Sequence, residues 1–279
     1  MIGIALVAVA EIFAEISTSL GKREVSSKKE SLYAFGFLSA FWSTFILLFI
    51  GIFIRHEFVF SLASLPTFLL RAVLEVALVF TSLNAILQAD RSTFAFLRTL
   101  TIPILLAVDL VLGFSISTMQ MLGMGIILFT AFALAFNHDL SPRGKLLSLI
   151  SAMIAVCTIS LYKYNITHFN SVEAEQAFMH IILLVVLVIT AYARGHENVF
   201  RSLFHPIFLV QSFAAGIAST LISFAYLFAP ASVIATSHRS LGILASIVSG
   251  RVYFHETHVA AKILACILIV AGIALTVAG

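Results

Sequence analysis

The chain has 279 residues, of which 61% are hydrophobic and 10% charged, with a mean hydropathy of +1.11. Ordinary soluble domains carry about 25% charged and about 45–50% apolar residues, so this composition excludes a soluble globular enzyme, a disordered chain and a nucleic-acid module, and points to an integral membrane protein. The net charge of +3, from 16 basic and 13 acidic residues, is not a polyanion-binding balance; Cys157 and Cys266 both lie in apolar runs, which indicates neither a disulfide scaffold nor a thiolate metal site.

Apolar runs broken by polar or Gly/Pro connectors predict ten spans of about 20 residues, the length that crosses a ~30 Å hydrocarbon core. The predicted spans are 2–20, 32–54, 66–88, 92–112, 117–136, 144–164, 177–193, 204–228, 231–253 and 259–278. Continuous apolar runs, without alternation at every second residue, favour helices over a transmembrane barrel. The first run has no basic residue ahead of it, carries Glu11 and Glu15 and shows no small-residue cleavage site, so it reads as a retained helix and not a signal peptide. Lys22, Arg23, Lys28, Lys29, Arg91, Arg143, Lys145, Arg194 and Arg201 fall in odd-numbered connectors, while the even-numbered ones hold little beyond Arg55 and Lys163. The positive-inside rule then places the odd connectors in the cytoplasm and both termini outside.

An ionisable group at the bilayer centre costs roughly 2.5–3.5 kcal/mol or more, so such groups face the bundle interior and mark functional positions. In chain order, helix 1 carries Glu11, Glu15, Thr18 and Lys22 on one face. Like charges one turn apart in a low dielectric repel, which suits a cation site or proton carrier, or else a basic partner on a neighbouring helix. Trp42, the single tryptophan, falls mid-helix, where it lines a cavity or packs. Helix 3 carries Arg71, Glu75 and Ser82 on one face, with Arg71 and Glu75 one turn apart and placed to neutralise each other.

Arg98 in helix 4 and Arg239 in helix 9 each sit seven or eight residues into a predicted span, roughly 10–12 Å deep at ~1.5 Å per residue. That is within about 5 Å of the midplane of a ~30 Å core. Arginine does not escape its charge by deprotonation, so each needs a carboxylate, a carbonyl, water or an anionic substrate group; Glu11, Glu15 and Glu75 are the internal candidates. Helix 8 carries Ser212, Gly216, Ser219, Ser223 and Tyr226 on one face, and His180 and His238 are the interior histidines. Asp109 falls near a membrane surface. Gly242, Ser246 and Gly250 form a small-xxx-small face on helix 9 for close helix contact.

A shift of 141 residues gives a weak, regular self-match. Ser19-Leu20-Gly21-Lys22 falls on Ser160-Leu161-Tyr162-Lys163, Arg98-Thr99-Leu100 on Arg239-Ser240-Leu241, and Ser82 on Ser223. The helix 8 stripe falls on Arg71, Glu75, Leu78, Ser82 and Ala85, so two related helices turn one stripe inward. Five spans per half force the second copy to enter the membrane inverted, an architecture of secondary transporters. The halves are residues 1–138 and 139–279.

Two halves of five helices, with a proline in the fourth (Thr101-Ile102-Pro103-Ile104), resemble the drug/metabolite transporter superfamily in its EamA-type branch. Ala229-Pro230-Ala231-Ser232, a small-residue ninth helix and Tyr253-Phe254-His255-Glu256 are similar to that family's late motif, with His255 where the family has glycine. Leu112-Gly113 keeps the glycine and lacks the glutamate; Gln120-x-x-Gly123 resembles the start of the family's fifth helix, with Lys262-x-x-Ala265 a loose second copy. The resemblance implies an exporter or exchanger of small metabolites with both termini in the cytoplasm, opposite to the loop charges.

The residues thus predict an all-α membrane protein acting as a secondary transporter of a small polar or amphipathic metabolite by alternating access, coupled to a proton or an exchanged solute. It needs no cofactor, metal or nucleic acid; its partners are the substrate and the lipid bilayer, as a monomer or homodimer in a bacterial or archaeal inner membrane. The predicted substrate-binding set is Arg98, Arg239, His238, Glu11, Glu15, Arg71, Glu75, Ser223, Tyr226 and Trp42. The competing functions are an intramembrane enzyme on lipid-linked substrates and a passive channel or scramblase. The enzyme lacks a clustered catalytic set: His255-Glu256-Thr257-His258 is one residue short of the zinc-protease spacing.

Overall fold

The computed structural model of the chain describes residues 1–27, 31–88, 97–135, 142–195, 198–254 and 259–278. Lys28, Lys29, Arg91 and the His255–His258 segment therefore lie outside the described residues, as do the side chains of Lys22, Arg143, Lys145, Ser246, Gly250 and Lys262. Among the described residues there are helices and no strand: α1 (Ile2–Ser26), α2 (Leu32–Phe49), α3 (Leu65–Gln88), α4 (Thr101–Val111), α5 (Thr118–Ala135), α6 (Pro142–His168), α7 (Val172–Thr190), α8 (Pro206–Ala225), α9 (Ala231–Phe254) and α10 (Val259–Ala278). A single helical turn, Val199–Ser202, precedes α8. Six stretches are long and apolar enough to cross a membrane, from Ile2–Val25 to Pro206–Ala225. The protein is a helical, multi-pass membrane protein. Phe129, Val73, Phe53 and Ile12 are each more than 60% exposed on its outer surface, where hydrocarbon would cover them.

Local chemistry sets the helix ends. Ser31 and Ser171 cap α2 and α7 by accepting the N–H of Ala34 and Ala174 at 3.1 and 3.3 Å. Pro206 opens α8 at a position that needs no N–H donor. After α4, Gly113 at φ +82° supplies the left-handed turn, and the N–H of Phe114 returns to the Asp109 carbonyl at 3.0 Å. Both α2 and α7 finish in one wide π turn, Ile50–Ile54 and Ala191–Gly195.

Three boundaries differ from the sequence reading. α1 runs six residues past the predicted end, to Ser26. The predicted polar connector 164–176 is mostly helix: α6 continues to His168, and α7 starts at Val172 because Ser171 caps it. Helix 4 is not continuous over 92–112. The chain turns at Thr99-Leu100, with the tighter bonds Leu100 N–H to Leu97 O and Ile102 N–H to Thr99 O at 3.2 and 2.9 Å. The eleven residues of α4 span only ~16 Å, about half a membrane.

α1 lies along α8 and α9, α2 lies between α7 and α8, α3 packs on α6, α4 touches α6 and α9, and α5 pairs with α10. The α5–α10 contact is backbone to backbone, since a Cβ on Gly123 would stand 2.5 Å from the Gly272 carbonyl oxygen. One apolar core gathers Val7, Leu105, Val156, Tyr226 and Ile234; another gathers Phe37, Leu38, Leu187 and Phe208.

Candidate functional site

A cavity of about 450 Å³ opens between the helices, lined from α1 (Ala14, Ser17, Thr18), α2 (Ser39), α3 (Arg71, Glu75, Leu78), the turn before α4 (Arg98), α6 (Thr158, Tyr162), α7 (Gln176), α8 (Ser219, Ser223), Tyr226 and α9 (His238, Arg239). Of the ten predicted substrate-binding residues, seven line it: Arg71, Glu75, Arg98, Ser223, Tyr226, His238 and Arg239.

Arg98 and Arg239 come together here. Both side chains line the cavity, and each lies within electrostatic range of the other. Glu75 offsets the Arg98 charge, while Glu11 offsets that of Arg239. Glu11 itself does not line the cavity. It stands just behind the wall, with Oε1 2.7 Å from His238 Nδ1, in space that Gly242 leaves open: a Cβ there would meet the same oxygen at 3.1 Å. Gly242 thus serves α1 and its carboxylate.

The remaining predicted residues lie elsewhere. Glu15 accepts the Ser19 hydroxyl at 2.8 Å on its own helix. Trp42 packs among Phe41, Phe45 and Phe213, with ring centroids 5.6–6.2 Å apart, and does not line the cavity. Gly216, placed by the stripe on the inward face, instead admits the α2 backbone, a Cβ there falling 2.6 Å from Trp42 Cβ. Asp109 is fully buried, and its Oδ2 accepts the Ser232 N–H at 2.6 Å in the first turn of α9. His180 is buried off the cavity, with no hydrogen-bond partner at Nδ1.

Arg71 and Glu75 do not neutralise each other. Arg71, 3% exposed, donates Nη1 to Glu175 Oε1 at 2.7 Å and Nη2 to Gln176 Oε1 at 2.6 Å. Its guanidinium also lies 4.6 Å over the Tyr162 ring, whose hydroxyl donates to the Ser223 carbonyl at 2.9 Å. Glu175 is held further by Asn165 Nδ2 on Oε1 at 3.0 Å and Asn170 Nδ2 on Oε2 at 2.6 Å. Thr67 donates to Asn165, Ser61 N–H and Ser64 donate to Asn170, and Arg55 pairs with Glu173 at 2.8 Å. Behind the Arg71 side of the cavity wall there is therefore a buried polar lock between α3, α6 and α7. The sequence pattern hides it, because the polar run with Asn165, Asn170, Glu173 and Glu175 reads as a connector. The available signal was Ser171, a capping residue followed by two acids in a first helical turn.

Lys163, also interior, donates to the Tyr226 and Ala229 carbonyls at 2.6 and 3.2 Å, so the C-terminal end of α8 satisfies it. Among the described residues no three His, Cys, Asp or Glu side chains gather as metal ligands would.

No family model and no curated protein matches the chain. A solved structure described as "Crystal structure of protein" superimposes with a TM-score of 0.74 at 14% identity, over 99% of this chain and 96% of that chain. The two share a fold over nearly their whole lengths.

Proposed function

We propose that this protein is a secondary active transporter, an exporter or exchanger of a small polar or amphipathic metabolite, working by alternating access around the central cavity. The observation that carries the reading is a metabolite-sized cavity, lined with charged and hydroxyl groups from helices of both halves, inside an otherwise apolar bundle.

The transporter architecture behind this reading is ten spans in two inverted repeats, residues 1–138 and 139–279, as in EamA-type drug/metabolite transporters. Helix bounds support the repeat: α3 and α8 begin at 65 and 206, α5 and α10 at 118 and 259, and the two π turns at 50 and 191, each pair 141 residues apart. The packing supports it too. Exchanging each helix for the one five places on turns α1–α8 into α6–α3 and α1–α9 into α6–α4, and leaves α2–α7, α4–α9 and α5–α10 as they are. The turn at Thr99-Leu100 beside Arg98 agrees with the discontinuous helices that line transporter sites.

In this reading Arg98 and Arg239 receive the anionic part of the substrate, and Glu11, Glu75 and His238 balance charge around it. The test is transport by purified protein in liposomes, with Arg239→Ala impairing flux while the protein stays folded. Normal flux in both Arg98→Ala and Arg239→Ala would sink the central-site assignment.

A further inference from the structure

The wall of the cavity also specifies a ligand class, an inference that rests on the transporter reading for its physiological meaning but not for its test. The charges come first. Three arginines, 71, 98 and 239, line the cavity, against one lining carboxylate among the described residues, Glu75. Arg71 is engaged by Glu175 behind the wall. Arg98 and Arg239 face the open volume with Glu75, and Glu11 stands behind the wall beside His238 and within electrostatic range of Arg239. Arg98 and Arg239 repel each other, and Arg239 Nε has no hydrogen-bond partner within the protein. An anionic group between them replaces that repulsion with charge-assisted hydrogen bonds, which planar guanidinium groups are shaped to give.

The hydroxyls come second. Thr18, Ser39, Thr158 and Ser223 line the cavity, and each donates its one proton to a carbonyl of its own helix, at 2.8, 2.8, 3.2 and 2.7 Å. A hydroxyl whose proton is used locally offers the cavity only lone pairs. Four hydroxyls of the wall thus present acceptors beside the guanidinium donors, and Ser17, Gln176, Ser219, Tyr226 and His238 complete the polar lining. The complementary ligand has an anionic head and several donors of its own. A volume of about 450 Å³ admits a molecule of hexose size.

We propose that the cavity binds a hydroxylated organic anion of the sugar-acid type, its carboxylate between Arg98 and Arg239 and its hydroxyls donating to Thr18, Ser39, Thr158 and Ser223. The probe is gluconate, with glucose, glucosamine, acetate and glucose 6-phosphate as comparisons. The readout is the thermal unfolding midpoint of the full chain in detergent as each compound is titrated. Gluconate should raise the midpoint at concentrations where neutral glucose, cationic glucosamine and hydroxyl-free acetate do not. Arg239→Lys keeps the charge and loses the planar fork, and should raise the half-saturating concentration about tenfold. Glu75→Gln makes the wall one charge more positive and should lower it, whereas a merely structural Glu75 would give weaker binding or none. An equal response to glucose or glucosamine, a response to glucose 6-phosphate alone, or no response to either hydroxylated anion in folded protein overturns the proposal. Liposome flux of radiolabelled gluconate separates the two levels. Binding without flux keeps the ligand class and removes the transporter; flux of a cationic or neutral solute without gluconate binding does the reverse.

Discussion

Replacing Glu175 with leucine strands the Arg71 guanidinium. In the native chain both groups are buried, at 3% and 0% exposure, and 2.7 Å apart. Removing one member of a buried ion pair typically costs about 3–5 kcal/mol, because the other charge stays behind without compensation. At roughly 2–4 °C per kcal/mol for a chain of this size, the unfolding midpoint should fall by about 10 °C. The double variant Arg71→Met, Glu175→Leu removes both charges and leaves only neutral orphans, the amides of Asn165 and Gln176, since Asn170 keeps its bond to Ser64. Each orphaned amide costs about 1 kcal/mol, so the double variant should be more stable than Glu175→Leu alone. Far-ultraviolet circular dichroism of the purified protein in detergent measures all of the midpoints. A double variant as unstable as Glu175→Leu would refute the reasoning, since the loss would then come from packing and not from an uncompensated charge.

Gly123→Ala should destabilise by about 1–3 kcal/mol, since its Cβ meets the Gly272 carbonyl oxygen at 2.5 Å and the Thr276 nitrogen at 2.9 Å, both backbone atoms that cannot turn aside. Gly125→Ala, two residues on with nothing within 4 Å of its Cβ, should instead stabilise by up to about 1 kcal/mol through helix propensity; the same melts decide both. Asp109→Ala frees the Ser232 N–H in the first turn of α9 and should cost roughly 1–2 kcal/mol, with Asp109→Asn recovering part because its amide oxygen still accepts. Lys163→Met removes the donor from the Tyr226 and Ala229 carbonyls; hydrogen exchange at the end of α8 should quicken while that of α5 stays unchanged.

Helices and their approximate places were legible in the sequence because lipid demands one property over about 20 residues, and composition reports that property directly. Arg98 and Arg239 were legible for the same reason: a charge inside such a run has to face inward, and both do line the cavity. The failures occur where polar residues are buried inside protein and not exposed to water. Residues 164–176 read as a surface connector because Asn165, Asn170, Glu173 and Glu175 are polar, yet all four are at most 6% exposed. A window average cannot tell a solvated polar group from one satisfied by another helix. Gly216 differs: spacing puts it on an inward face, but α2 and α8 approach so closely there that the face meets the α2 backbone instead of the cavity.

The partner of Arg71 shows why adjacency in sequence misleads inside such a bundle. Glu75 is one turn away and could reach it, but Glu75 borders the cavity, where Arg98 and polar groups can offset its charge. Glu175 has no such alternative. It is fully buried between α3, α6 and α7, and without Arg71 its carboxylate would keep only the two asparagine amides. The cost of an unpaired charge rises steeply with burial, so the cation goes to the acid that would lose most without it. That choice leaves Glu75, Arg98 and Arg239 facing the cavity together. The Arg71–Glu175 pair therefore determines which charged groups the cavity presents.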